Sequence, residues 1–430
     1  MQIFSKELGR AENYRVPSII TTKNGVVVAC CDERWYGGGD NPNLIGKVVR
    51  RSFDSGRTWQ EVIVVKEEVG KSKLTSSASI DACMLYDEQN GGIFMIYTHT
   101  PAGVGILASS KGIGETKEGY RLVYDGKREG YVKGGKIFVN GVSEGVKVDE
   151  KGNVTKDLES LGNIYERDGK YKEKDTFFLY IQSSFDDGAT WSEPICLNNQ
   201  VKEKYMSFIG AGPGTGIVVK KGKYKGRYIF PIYYNTADKG ILMLSNAVIY
   251  SDDQGKTWHR GKSPNDKRKV LFYRVNEKFV LPSDMITESQ VIELPSGDLK
   301  LFMRNHNPKR RILTAVSRDG GESWQDIKYQ NELTHCICQC SVINVMDEGK
   351  EATVFLNAAD TKARKNGVIR LSYDYGETFP YSRVLSDGEF VYSSMTEMQG
   401  GEIGVLYEGS TKHEAIEFEV VSTKWIKGEI

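Results

Sequence analysis

The stretch that decides the fold is SFDSGRTW, Ser52 to Trp59, because the chain carries it five times. The other copies are SFDDGATW from Ser184, SDDQGKTW from Ser251, SRDGGESW from Ser317 and SYDYGETF from Ser372. Each reads Ser, any residue, Asp, any residue, Gly, any residue, Thr or Ser, then an aromatic ring. A β-rich run precedes each copy and often another follows. The pattern predicts a hairpin turn in which Ser and Asp side chains hydrogen-bond turn backbone, Gly supplies a positive φ, and the ring plugs the hairpin against its sheet. The copies are separated by 132, 67, 66 and 55 residues. One supersecondary unit repeated in this way predicts radial repetition, a β-propeller. The first interval is about twice the others, so something is inserted there.

Working outward, YRVPSIITTKNGVVVACC (14–31) reads as two strands joined at Lys23-Asn24-Gly25, Asn-Gly being a strong hairpin signal. KVVRRSF enters the first repeat turn and EVIVV leaves it, which completes a four-stranded blade. A second blade begins with SIDACMLYD and GIFMIYTHT and resumes only at FFLYIQ. Between them, residues 109–174 are rich in Gly, Lys and Glu, with short alternating pieces such as YRLVYDG, KIFVNG and GVKVDEKGNVT. These predict a small inserted β domain, neither helical nor disordered. Residues 1–108 and 175–430 are then left for a six-bladed propeller at roughly 60 residues per blade. SMTEM, IGVLYEG and AIEFEVVS form the last blade, completed by the N-terminal strand, and such ring closure removes an open sheet edge. The expectation is therefore an all-β chain, a six-bladed β-propeller with a small inserted β domain.

The 430 residues are ample for that architecture, and a formal net charge of +1 argues against a nucleic-acid or membrane-surface partner. No run approaches the 18 or so apolar residues of a bilayer span. The start, MQIFSKELGRAENYRVP, lacks the apolar core of a secretion signal. Seven cysteines, an odd number mostly flanked by apolar strand residues, read as free buried thiols. Both features point to a cytoplasmic protein as the sequence stands, the alternative being a secreted one whose leader has been removed. His335 followed by Cys336, Cys338 and Cys340 is read as strand: period-2 spacing puts the three thiols in a row on one face, not in a tetrahedral metal cage.

Propellers serve many functions, so the site has to be argued from residues. The repeats together with YRVP (Tyr14 to Pro17) resemble the bacterial sialidases, exo-α-neuraminidases, over most of the chain. YRVP is similar to that family's Arg-Ile-Pro motif just ahead of the first blade. The resemblance implies an arginine triad for the substrate carboxylate: Arg15, Arg304 in LKLFMRNH, and Arg364 in ARKNGVIRLS. A planar guanidinium grips a carboxylate bidentately. It implies a tyrosine nucleophile, Tyr392 in VYSSMTEM, activated by Glu288 in ITESQVIELPSG. A carboxylate nucleophile would be repelled by the substrate's own charge, whereas a neutral phenol is not. A phenol of pKa about 10 still needs a base. By the same resemblance Asp40, after three glycines in CDERWYGGGDNPNLIG, is the acid/base on a mobile loop, kept protonated by substrate closure, and Arg34 contacts the sugar ring. An Ile-Asp usually follows that loop; here Ile45-Gly46 stands. Asp81 matches the residue facing the 4-hydroxyl or N-acetyl side, with Ala82 where a proline is usual, and Glu408 matches the glutamate orienting the first arginine. SFIGAGPGTGIVV resembles a Gly-Pro-Gly loop of the family and lacks the Lys-Ser/Thr end of a phosphate loop.

The implied function is retaining hydrolysis of terminal α-linked sialic acid from glycoconjugates or sialo-oligosaccharides by a monomer. It needs no metal or organic cofactor. Two alternatives stay open. An insertion between the first two repeat turns is also a feature of intramolecular trans-sialidases, which release 2,7-anhydro-sialic acid, and of sialidases releasing the 2,3-unsaturated sugar. The rival from a different class is a non-catalytic glycan-binding propeller.

Overall fold

A computed structural model describes residues 1–270 and 272–429. The chain is all-β, its sheets following one another in a propeller-like arrangement. In several of the sheets a buried strand leads and an exposed strand ends the run. Val27–Arg34 and Ile286–Glu293 are buried at every position, so both faces of these strands meet protein. Gln325–Thr334 and Tyr381–Glu389, last in their sheets, are largely polar and exposed. The apolar clusters lie between successive sheets: Val354, Leu356 and Ile369 of one pack with Met395, Val405 and Tyr407 of the next. Cys83, Ile96 and Leu179 likewise pack with Ile209, Phe230 and Ile249. The N-terminal strand Gln2–Ser5 pairs with Ala415–Val421, joining the two ends of the chain in one sheet as the sequence suggests.

Four sheets of four or five strands are separate, and a nine-stranded sheet holds both halves of the region before and after the insertion. The hydrogen-bonded sheets therefore do not by themselves number six blades. The reason is local: Ile45 pairs with Ala78, and Gly214–Thr215 pairs in parallel with Cys83–Met84, linking strands that would otherwise belong to neighbouring blades. Residues 122–173 carry a separate seven-stranded sheet around a small core of Val123, Ile137, Val146 and Val154. A buried charge cluster ties it down: His99 lies between Glu68 (3.0 Å) and Glu173 (2.7 Å), and Arg121 meets Glu173 at 3.2 Å. Burial would lower the imidazole's pKa, but the two carboxylates outweigh it and hold it at about 9.

The five repeat turns share one hydrogen-bond set. In the first, Ser52 Oγ accepts from Gly56 N–H (2.8 Å) and donates to Asp54 Oδ1 (2.8 Å). Asp54 accepts Thr58 N–H (2.8 Å) and Oγ1–H (2.6 Å). The same bonds recur around Asp186, Asp253, Asp319 and Asp374. Two successive residues are left-handed, not the glycine alone: Ser55 has φ 58° and Gly56 φ 83°. The carboxylate's several bonds offset the cost of about 1–2 kcal/mol for the non-glycine position. Because these bonds favour the ionised form, Asp253 is drawn down to about 2 despite the opposing effect of its partial burial. Its contribution is complete above the ordinary aspartate value near 4 and is lost as pH falls toward about 2. Asp319→Ala is expected to lower stability by about 1–3 kcal/mol at pH 7, read as a fall in urea midpoint, with turnover per folded molecule unchanged.

Two expectations change. SFIGAGPGTGIVV is not all loop, since Phe208–Ala211 is a strand paired with Tyr228–Asn235. The row of thiols does not form, because the strand begins only at Cys340 and Ile337 takes φ 60°, which breaks the alternation. All seven cysteines are free, five of them buried, with Cys196 and Cys336 half-buried.

Candidate active site

Three long buried strands are interrupted where site residues sit. The register slips between Arg15 and Ser18, between Ile80 and Cys83, and between Ile286 and Ser289. A bulge re-aims a side chain out of the regular alternation, and here Asp81 and Glu288 lie within the slips while Arg15 is the last paired residue before one. Val16 at φ 57° and Asp81 at φ 65° hold left-handed backbone, which for β-branched Val16 is a strained state. The strain is held by Glu408, whose Oε1 accepts the Val16 N–H at 2.9 Å.

Arg15, Asp40, Asp81, Glu288, Arg304, Arg364 and Tyr392 line one cavity of about 240 Å³, room for about one sugar residue. Tyr392 occupies the centre. Its hydroxyl makes a short hydrogen bond to Glu288 Oε1 and accepts from Arg304 Nη1 at 2.7 Å, while the same Nη1 donates to Glu288 Oε2 at 2.6 Å. The phenol proton already points at a carboxylate, and a cation faces the phenol oxygen. Burial raises the Tyr392 pKa well above its ordinary value, with Arg304 opposing. The guanidinium carbons of Arg15 and Arg364 lie 5.6 and 5.5 Å from the Tyr392 ring centre. Arg364 comes from the turn ahead of the strand Lys365–Ser372, anchored where its carbonyl accepts the Phe390 N–H at 3.0 Å.

The remaining two sequence-derived residues lie behind the wall. Glu408, fully buried, accepts from Arg15 Nε at 3.1 Å and contacts His413 Nδ1 at 2.9 Å. Burial pushes its pKa up, but Arg15 outweighs that and holds it at about 2. Arg34, expected to contact the sugar, is fully buried and does not line the cavity. It donates to Asp40 Oδ1 at 2.7 Å and to Asp32 Oδ2 at 2.7 Å.

Asp40 reaches the cavity from a loop pinned by Asn43, whose Nδ2 donates to the carbonyls of Gly37 (2.8 Å) and Gly39 (2.9 Å). Asn43 thus supplies support that the missing Ile-Asp pair would otherwise be expected to give. The Asp40 side chain is 68 % exposed, yet Arg34 and Arg15 (3.2 Å) both contact its Oδ1. Protein crowding would raise its pKa; the two arginines more than reverse this and keep it below the ordinary range. Asp40 is therefore held here as an ion-paired carboxylate, whereas the protonation expected from the sequence belongs to substrate closure. Asp81 is the opposite case: burial, then the nearby carboxylates of Asp32 and Glu288, push its pKa well up.

Sequence reasoning missed Tyr233, which donates to Asp81 Oδ2 at 3.2 Å, along with Ile106, Leu242, Leu244, Thr287 and His306 in the cavity wall. His306 follows Arg304 by two residues and could have been found by that proximity. Burial, then the Arg304 charge, lowers its pKa to about 4, so it is neutral near pH 7. Tyr233, one of 23 tyrosines, had no distinguishing signal.

The repeats, the sheets and the cavity define the class. The profile of the BNR repeat-like domain family matches residues 164–405, more than half the chain, and the chain belongs to that family. The resemblance to bacterial sialidases stands as well. An anhydrosialidase of Macrobdella decora is 26% identical over 94% of this chain and 59% of its own, and a sialidase of Bacteroides fragilis 25% identical over 96% and 62%. The chain thus spans about three fifths of these curated relatives. Among solved structures, a leech intramolecular trans-sialidase with 2,7-anhydro-Neu5Ac superposes with TM-score 0.85 at 24% identity, covering 100% of this chain and 71% of the other. The intramolecular trans-sialidase of Ruminococcus gnavus with oseltamivir carboxylate gives 0.82 at 23% identity, covering 99% and 97%.

Proposed function

We propose that the chain is a retaining exo-sialidase acting as a monomer on terminal α-linked sialic acid. The observation that carries this reading is the Tyr392 hydroxyl, set between Glu288 and Arg304 in a cavity that also receives Arg15, Arg364 and Asp40. A base on the proton and a cation on the oxygen are what a phenol needs in order to attack. Arg15, Arg304 and Arg364 hold the substrate carboxylate. Its negative charge draws Arg15 away from Asp40, so the Asp40 pKa rises in the complex and the carboxyl can be protonated. Tyr392 Oη attacks the anomeric carbon as its proton passes to Glu288; the glycosidic bond breaks and the leaving oxygen takes the Asp40 proton. Asp40, now a carboxylate, removes a proton from water, which displaces Tyr392, and the phenolate recovers its proton from Glu288.

Asp40→Asn is expected to lower kcat on alkyl-linked sialosides by about 10²- to 10⁴-fold, and far less on an aryl sialoside whose phenol leaves unaided. Equal losses on both, measured side by side, would remove Asp40 from the acid role. The reading as a whole is tested by a fluorogenic sialoside assay on folded protein, including de-acetylated and KDN forms; no turnover of any of them overturns it.

The second reading, intramolecular transfer, is favoured by the relative named an anhydrosialidase and by the two trans-sialidase folds. The apolar wall of Ile106, Leu242 and Leu244 supports it too, since a dry wall disfavours water as the acceptor. The substrate's own 7-hydroxyl would then displace Tyr392. Proton NMR of the product decides between free sialic acid, the 2,7-anhydro sugar and the unsaturated glycal.

For the architecture we take the nine-stranded sheet as two blades joined at Ile45 and Ala78, which with the four separate sheets makes six. Residues 109–174 are then the inserted domain, and the propeller is formed by 1–108 and 175–430.

A further inference from the structure

The segment His335 to Gln339 plays no part in the reaction above, yet it holds Tyr392 from both sides. Cys338 Sγ–H donates to the carbonyl of Val391 at 3.2 Å. Gln339 Nε2 donates to the Ser393 carbonyl at 2.9 Å and its Oε1 accepts the Ser393 N–H at 3.1 Å. The neighbours of the tyrosine on either side are thus fixed by consecutive side chains of one loop. Ile337, at φ 60°, turns the chain between Cys336 and Cys338, and its N–H is held by His335 Nδ1 at 3.2 Å. A one-residue turn of that kind suits the short span of a disulfide. Both thiols pack in the cluster that contains Val391 and Tyr392, Cys338 buried and Cys336 half-buried.

We propose that Cys336 and Cys338 are a peroxide-oxidisable dithiol, a modification site whose closure to a disulfide releases the Val391 anchor and lowers turnover. The two thiols differ in the sense such chemistry requires. The neighbouring Cys338 thiol and the charge of Arg364 bring Cys336 down to about 7, against partial burial, whereas burial holds Cys338 in the thiol form. The less buried, thiolate-rich partner attacks first. Cys336 sulfur displaces water from hydrogen peroxide, taking one oxygen as sulfenic acid; Cys338 then attacks that sulfur and the second oxygen leaves as water. Two thiols and one peroxide give one disulfide and two waters. The Cys338 hydrogen that bound the Val391 carbonyl is gone, and the sulfur is drawn toward Cys336.

The test uses the full chain with hydrogen peroxide at a few equivalents, read by peptide mass and by turnover. Expected is a loss of two hydrogens in the peptide holding 336 and 338, assigned to that pair by fragmentation and reversed by dithiothreitol. Turnover should fall about tenfold or more in parallel, since sub-ångström shifts at a reacting atom are costly. Cys336→Ser should keep basal turnover, form no disulfide and resist peroxide. The proposal is overturned if Cys336 stays reduced, goes to sulfinic acid without pairing, pairs without any change in turnover, or if Cys336→Ser is inactivated equally. The turnover part rests on the sialidase reading. The mass part does not, so an inactive protein that still forms the disulfide would count against the sialidase reading and the switch, and not against the dithiol.

Discussion

Tyr392→Phe is expected to leave the fold intact and to cut sialoside turnover by about 10³-fold or more, with KM little changed. The substitution removes one oxygen and retains the ring, so the packing of Tyr392 against Phe390, Val391 and Met395 survives. Only the nucleophile goes, and with it the bonds to Glu288 and Arg304. Groups that act as one unit in bond-making typically give losses of that order or larger when removed singly. The carboxylate grip is untouched, because Arg15, Arg304 and Arg364 remain, so binding of a non-hydrolysable sialoside should persist within about twofold. Stability should fall little, since the lost hydroxyl leaves Glu288 still paired with Arg304. Steady-state kinetics with calorimetric binding separates the two effects; a variant keeping more than a tenth of wild-type kcat would show that another group attacks the anomeric carbon.

Glu408→Ala is expected to be the most damaging substitution for stability, by about 3–5 kcal/mol. Glu408 is fully buried, accepts from Arg15 Nε, and also caps the N–H of strained Val16. Alanine leaves a guanidinium that is 6% exposed without that counter-charge and leaves the Val16 N–H without its acceptor. Glu408→Gln keeps an acceptor but no charge, so it should lie between alanine and wild type. Protein that does fold should lose about 10²-fold in kcat/KM, because Arg15 no longer has one orientation. The pH dependence has a definite sign. With its folded pKa at about 2, Glu408 stabilises fully above the ordinary glutamate value near 4.3, and that contribution disappears as pH falls toward 2. Urea midpoints for wild type and Glu408→Gln should therefore converge on acidification and differ most near neutrality.

What was legible in the sequence was what local chemistry or an ordered motif encodes. The Ser-x-Asp-x-Gly turns contain their own hydrogen-bond partners within eight residues, so each could be read in isolation and the set used as a ruler for the insertion. Arg15, Arg304, Arg364, Glu288 and Tyr392 lie far apart in sequence, and it was the resemblance to the sialidases, supported by their order relative to the turns, that identified them; all five line one cavity. Long-range contacts without a local signature were not legible. His413 meets Glu408 through a loop that has no motif, Tyr233 reaches the cavity from the strand Tyr228–Asn235, and Leu242 from the loop ahead of Leu244–Ser251. Arg34 pairs with Asp32 and Asp40 from within the chain, which the spacing did not reveal. The cysteine segment was misread as strand because alternation over five residues outweighed the possibility of one left-handed isoleucine.

The central claim is a covalent bond between Tyr392 and the anomeric carbon of a sialic acid. A 2,3-difluoro sialic acid tests it directly: fluorine at C3 destabilises the positively charged transition states, and fluoride at C2 leaves easily, so the glycosyl-enzyme forms faster than it breaks down. Peptide mapping of the trapped protein should place the sugar on Tyr392, with no label in Tyr392→Phe. Label on a carboxylate such as Glu288 or Asp40, or no label on folded wild-type protein, would contradict the account.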